Sequence, residues 1–146
     1  PELITYNLLI YEIDIKDGKI LREIYILNAV NIDWEDIAVD SKHIYIGDIG
    51  GNNVDREYIH IYKVEIEELL HNESTYSEVL AIKKEDNHPK DFEAMLVKEN
   101  SLYLYSKDME EYQCKSYILD LNSPISNLGT PVQENKYSVA ITGADY

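Results

Sequence analysis

The feature that most constrains this chain is that it repeats itself. Asp33-Trp34-Glu35-Asp36-Ile37-Ala38-Val39 and Asp91-Phe92-Glu93-Ala94-Met95-Leu96-Val97 share one pattern: Asp, an aromatic, Glu, a small or acidic residue, then three apolar residues. The offset that carries Asp33 to Asp91 also sets Ile44-Tyr45-Ile46 over Leu102-Tyr103-Leu104 without a gap. A second pattern occurs three times, as Ile10-Tyr11-Glu12-Ile13-Asp14, Ile61-Tyr62-Lys63-Val64-Glu65 and Ser116-Tyr117-Ile118-Leu119-Asp120, with its tyrosines at nearly even spacing. Two patterns recurring in one order mark a structural unit used more than once.

The unit is built of strands. Thirteen tyrosines accompany abundant Ile and Val, and aromatic and β-branched side chains suit a pleated, half-buried surface. Aliphatic residues fall at every second position in His43–Asp48 and Ser101–Ser106, as half-buried strands require. Asp17-Gly18 is a hairpin signal, and the one helical stretch, residues 66–71, sits in a connection. Four short strands in a period of roughly 50 to 58 residues match a blade of a β-propeller. The expected architecture is therefore all-β: one partial β-propeller domain over residues 1–146, made of four-stranded antiparallel blades. The blade-like units are 1–27, 33–84, 91–138 and 140–146. Strands are expected at 8–14 and 20–27, then at 33–40, 43–49, 58–65 and 77–84, then at 91–98, 101–107, 114–120 and 132–138. Segments 33–40 and 91–98 are expected innermost, side by side in separate sheets. Residue 1 is Pro, and 140–146 stop inside what reads as a fresh strand, so a longer parent is expected. Stacked sheets leave two end faces to cover, which makes the remaining blades of a ring, or a second chain, the expected partner.

Charge removes two classes of partner. The chain carries 28 acidic against 13 basic side chains, a formal net charge of −15, and no Lys/Arg cluster offsets this locally. It repels the backbone of nucleic acid and an anionic membrane surface alike. Apolar runs such as Ile24–Leu27 are too short to span a bilayer. Cys114 is the only cysteine, so it forms no internal disulfide and reads as a small strand residue.

The stretch Asn31–Ala38, followed by Ile44–Asn53, Arg56 and Ile61–Val64, resembles a group of bacterial propeller proteins. Asp91–Met95 and Thr142-Gly143-Ala144-Asp145 resemble later blades of the same group. More distantly, these segments are similar to six-bladed propellers of the phytase-like and lactonase-like kinds. The resemblance implies the propeller fold and an exported protein, periplasmic or extracellular in a bacterium. It implies no single activity, because one fold hosts many.

The chemistry worth weighing is acidic. Strand alternation puts Asp33 and Glu35 on one face, with Trp34 and Asp36 on the other. Asp91 and Glu93 repeat this geometry, and Asp145 begins a third copy. If these strands line an axis, Asp33, Glu35, Asp91 and Glu93 converge, and close like charges raise one another's pKa. Such a set can hold Ca²⁺ or Mg²⁺. Alternatively, its carboxylates cap backbone N–H groups of the neighbouring sheet or pair with Arg56 or Lys107. Asp48, Asn52, Arg56 and His88 complete the candidate ligand-binding residues. Asp48 and Asn52 lie in the Gly-rich Gly47–Asn53 stretch, which lacks the Lys-Ser/Thr of a phosphate loop and the Asp spacing of an EF-hand. Trp34 and Phe92 read as packing anchors between sheets, or as a platform for a sugar. No histidine pair has zinc-ligand spacing, and no nucleophile elbow or Ser/His/Asp set is present. The catalytic residues are therefore unassigned. The reading is a non-catalytic domain that binds a ligand, cation or protein partner. The alternative is a Ca²⁺-dependent hydrolase of the phytase-like or lactonase-like type.

Overall fold

In a computed structural model of the chain, residues 8–51, 56–85, 89, 91–107, 112–136 and 142–144 are described. The fold is all-β, and the described residues form three sheets that follow one another along the chain. The first contains β1 (Leu9–Ile13), β2 (Ile20–Ile26) and, from later in the chain, β6 (Ser74–Thr75). The second is the meander β3 (Trp34–Val39), β4 (His43–Asp48), β5 (Tyr58–Glu65) and β7 (Glu78–Lys83). The third is β8 (Phe92–Lys98), β9 (Ser101–Ser106), β10 (Gln113–Asp120) and β11 (Gln133–Lys136). The helix α1 (Ile66–His71) lies in the connection between β5 and β6. Among the described residues no helix is long and apolar enough to cross a membrane. Most of the strand expected at 140–146 lies outside the described residues, and 142–144 carry no strand.

The sequence repeat holds down to the register. Trp34 faces Asp48 and Asp36 faces Gly47; at the matching positions of the next unit, Phe92 faces Ser106 and Ala94 faces Tyr105. In each case the edge strand advances by two residues while its partner advances by one, so Glu35 and Glu93 are the extra residues of two matching β-bulges. The bulge corrects the expected alternation. Trp34 packs toward the first sheet, against the cluster of Ile24, Ile26, Ile46 and Tyr62. Ala38, which strict alternation would place on the same side, instead joins the core with Phe92, Met95 and Leu104 of the third sheet. Asp36 also turns toward that sheet: its Oδ2 accepts the Met95 N–H at 2.8 Å.

β3 and β8 lie in different sheets, each at a sheet edge, and approach one another closely. Between the sheets Tyr45, Ile59, Ile61 and Ile82 bury themselves against Phe92, Met95, Leu102 and Tyr117. Gly47 permits the approach, since a Cβ there would stand 3.0 Å from Met95 Sδ. The aromatic anchors repeat as well. Phe92 meets Tyr117 edge-on at 5.6 Å, and Trp34 meets Tyr62 at 6.1 Å.

Two pairings that leave no trace in the repeat hold the outer edges. β6 pairs in parallel with β2, and a bridge between Lys83 and Asn127 sets the connection after β10 in parallel against β7. The Lys83 N–H donates to the Ser126 carbonyl at 2.9 Å, and the Leu128 N–H donates to the Lys83 carbonyl at 3.0 Å. β2 and β7 are thus each covered by the connection of the following sheet, which removes an exposed pairing edge. Leu128 pins the second latch in the core. Leu128→Ala is expected to lower unfolding stability by about 2–4 kcal/mol in a urea titration. Val132→Ala, at an exposed position, should shift it by no more than about 0.5 kcal/mol.

Candidate functional site

Asp33 and Asp91 stand immediately before β3 and β8, and Glu35 and Glu93 are the bulge residues just inside. The close approach of the two strands joins the two acidic pairs. Asp33, Glu35 and Asp91 each bring one carboxylate oxygen within 4.8 Å of the others. Glu93 lies beside them but is taken up by Lys107, whose ammonium donates to Glu93 Oε1 and stands 3.9 Å from Asp91 Oδ2. Asp91 Oδ1 accepts the Gly51 N–H at 2.9 Å. One carboxylate of the four therefore caps the preceding sheet, and another is ion-paired.

The electrostatics are asymmetric because the repeat is imperfect. At the offset of the repeat, position 107 corresponds to Ile49, so the Asp33–Glu35 pair lacks the lysine that serves Asp91 and Glu93. Burial, reinforced by the charges of Glu93, Asp33 and Asp91, pushes Glu35 up to about 7. Asp91 is also raised; burial dominates, the Gly51 N–H opposes it, and the Glu93 charge adds to it. Lys107 is held above its ordinary value, first by its hydrogen bond to Glu93. Gly50 closes over the cluster, and a Cβ there would come within 2.5 Å of Glu35 Oε1 and 2.6 Å of Asp33 Oδ2. Sequence patterning did not single out Gly50; the signal was its place in a Gly-rich turn that follows a strand paired with the acidic one.

Asp48 and Arg56 serve the site from beneath. Asp48 is fully buried and its carboxylate accepts the Asp33 N–H at 2.8 Å. Arg56 donates to Asp48 Oδ1 at 2.9 Å and also to the Asp48 carbonyl oxygen. The Arg56 side chain is only 7% exposed, so this ion pair is buried. It fixes the backbone from which the Asp33 carboxylate projects. The Asp48 carboxylate is thus taken up by Arg56 and the Asp33 backbone, and the gathered oxygens are those of Asp33, Glu35 and Asp91. Asn52, His88 and Asp145 lie outside the described residues. His43 pairs with Asp40 at 3.2 Å, His71 pairs with Glu67 at 3.1 Å, and His60 stacks on Tyr62. Cys114 is buried, which raises its thiol pKa. No family model, curated protein or solved structure matches the chain.

Two outcomes test this geometry. Asp48→Ala strands a buried guanidinium and is expected to cost about 3–5 kcal/mol in denaturant unfolding. Glu35 supplies the second. Its folded-state pKa lies above the unfolded value of 4.5, so the folded protein holds this proton more tightly. The resulting stability is complete below about pH 4.5 and is lost as pH rises through about 7. Glu35→Gln should therefore be more stable than wild type at pH 8, by roughly 1–2 kcal/mol once solvent screening is allowed for. The two proteins should converge at pH 4.5, read by thermal melts across pH.

Proposed function

We propose that this chain is a segment of a β-propeller that binds a cation, Ca²⁺ foremost, where β3 and β8 begin, in a non-catalytic role. The propeller reading draws support from consecutive meanders whose register and bulges repeat at one offset, and from β3 and β8 meeting at corresponding sheet edges. The observation that carries the cation reading is the Asp33, Glu35 and Asp91 triad, with ligating oxygens within 4.8 Å of one another and the nearest lysine engaged by Glu93. Ca²⁺ binds oxygens at roughly 2.4 Å, so two ligands on opposite sides of the ion lie about 4.8 Å apart. A bound dication would relieve the repulsion that raises Glu35, and hard oxygen donors select Ca²⁺ or Mg²⁺ over softer metals.

Ca²⁺ at 100 times its dissociation constant should stabilise the fold by about 2.7 kcal/mol, visible as a rise in Tm at pH 8. Glu35→Gln should abolish that rise while itself melting higher than the metal-free wild type. An unchanged Tm across millimolar Ca²⁺ would sink the cation reading and leave the carboxylates as caps and ion-pair partners. The hydrolase reading is favoured by one feature, a carboxyl group that exchanges its proton near pH 7 and so suits acid–base chemistry. Ca²⁺-dependent cleavage of a phosphate ester or a lactone, lost in Glu35→Gln, would establish it in place of the non-catalytic one.

A further inference from the structure

The repeat allows each exposed apolar side chain to be compared with its own counterpart, and one group stands out. Tyr11 is 50% exposed, whereas its equivalents Tyr62 and Tyr117 are 3% and 1% exposed. Ile13 is likewise exposed, whereas Val64 and Leu119 are buried. In the second sheet, Ile37 is 52% exposed against 0% for Met95, and Trp34 and Ile44 are only partly buried where Phe92 and Leu102 are fully so. Trp34, Ile37 and Ile44 border one gap, and Tyr11 and Ile13 lie along the edge of β1 that bounds it, on the face away from Ile10. β1 and β2 correspond to β5 and β7, so the first sheet contains no counterpart of β3 and β4 among the described residues. Among the described residues one edge of β1 has no partner strand, and the rear face of β3 and β4, buried at Ile46, is open at Ile37 and only partly covered at Trp34 and Ile44.

We propose that this notch is a docking site for a β-hairpin of the chain's own repeat type, one that opens Asp-aromatic-Glu and alternates aliphatic residues. The repeat equivalence alone places the hairpin, with or without a closed ring or a bound cation. Continuity with the established interfaces specifies the fit. Ile46 faces Tyr62 and Ile44 faces Val64 across β4 and β5; Leu104 faces Tyr117 and Leu102 faces Leu119 across β9 and β10. A hairpin with the sequence of residues 91–107 would therefore set Leu104 opposite Tyr11 and Leu102 opposite Ile13. Its Leu96 and Tyr103 occupy the repeat positions of Ala38 and Tyr45, which cover Phe92, Met95 and Leu102 in the existing interface. They would come down on Trp34, Ile37 and Ile44. Strand addition at an open edge draws its affinity from main-chain pairing and its selectivity from alternate side chains.

The test uses a synthetic peptide of residues 91–107 added to the intact chain. Trp34 is the only tryptophan and lines the notch, so its emission should shift to the blue and saturate at one peptide per chain. Ile37→Asp and, independently, Ile13→Asp change exposed side chains and should weaken binding at least tenfold. Ile118→Asp, exposed on the third sheet, should bind as wild type does. No saturable shift, an equal shift with a scrambled peptide, or undiminished binding by both Asp variants overturns the proposal. Self-association of the chain alone that Ile37→Asp removes would also overturn it, by giving the notch to a second copy. Ca²⁺ stabilisation should persist in Ile13→Asp, so this proposal and the cation reading fail separately.

Discussion

One inserted residue in each edge strand organises the structure. A β-bulge places two residues against one, bends the strand and increases its twist. At Glu35 this reverses the side on which the following residues fall. The aromatic before the bulge packs backward on the preceding sheet, while the acid after it reaches forward to the Met95 N–H. The glutamate itself has no cross-strand partner and joins its neighbouring aspartate. Were Glu35 instead paired in regular alternation, Trp34 and Asp36 would share a face, and an apolar anchor and a forward hydrogen bond would compete for one interface. The acidic cluster is thus a by-product of how successive sheets are joined, later tuned by which cations lie nearby.

That tuning explains why the two acidic pairs differ although their backbones match. Position 107 carries a lysine and position 49 an isoleucine, and a single such exchange alters both charge and desolvation. Ile49 is fully buried and its carbonyl accepts the Phe92 N–H at 3.3 Å. It therefore contributes packing and a sheet-to-sheet link where Lys107 contributes charge. The Asp33–Glu35 pair must then be relieved by a proton, a cation or the N–H groups of a neighbouring segment, because close carboxylates cannot all remain ionised without cost.

Much of the fold was legible because it is periodic. One constant offset set both meanders, and strand boundaries fell close to expectation wherever alternation was regular. Residues 66–71 formed the expected helix. Three features were not legible, each for a physical reason. The bulge breaks the alternating period on which face assignment rests, so the side taken by the residues after Trp34 was misread. The latches at Ser74–Thr75 and Ser126–Leu128 are short, parallel and long-range, and so brief a pairing leaves no pattern in composition. The Asp48–Arg56 pair joins two ends of a Gly- and Asn-rich turn, where charges read as solvated although both are buried. The convergence of Asp33, Glu35 and Asp91 was legible, because identical residues at identical repeat positions are carried to neighbouring places.

The edges show how the latches, the notch and the carboxylates bear on one another. The outer strands β2 and β7 are each covered by a connection from the following sheet, whereas β1 keeps an open edge among the described residues. Protection on one side and exposure on the other define a direction along the stack, in which every sheet supplies cover to the sheet before it. The same direction governs the acids. Asp91 is relieved by the Gly51 N–H, which follows the second strand of the preceding meander. The corresponding donor for Asp33 would follow the second strand of a hairpin seated against β1. A segment that fills the notch and continues past that strand would therefore bring Asp33 a backbone donor of the kind Asp91 already has. It would also bring a further Asp–Glu pair to the same end of the fold. Filling the notch and titrating Glu35 are then linked: the donor would add positive potential beside the cluster and the acids would add negative, so the net shift in Glu35 reports which arrives closer.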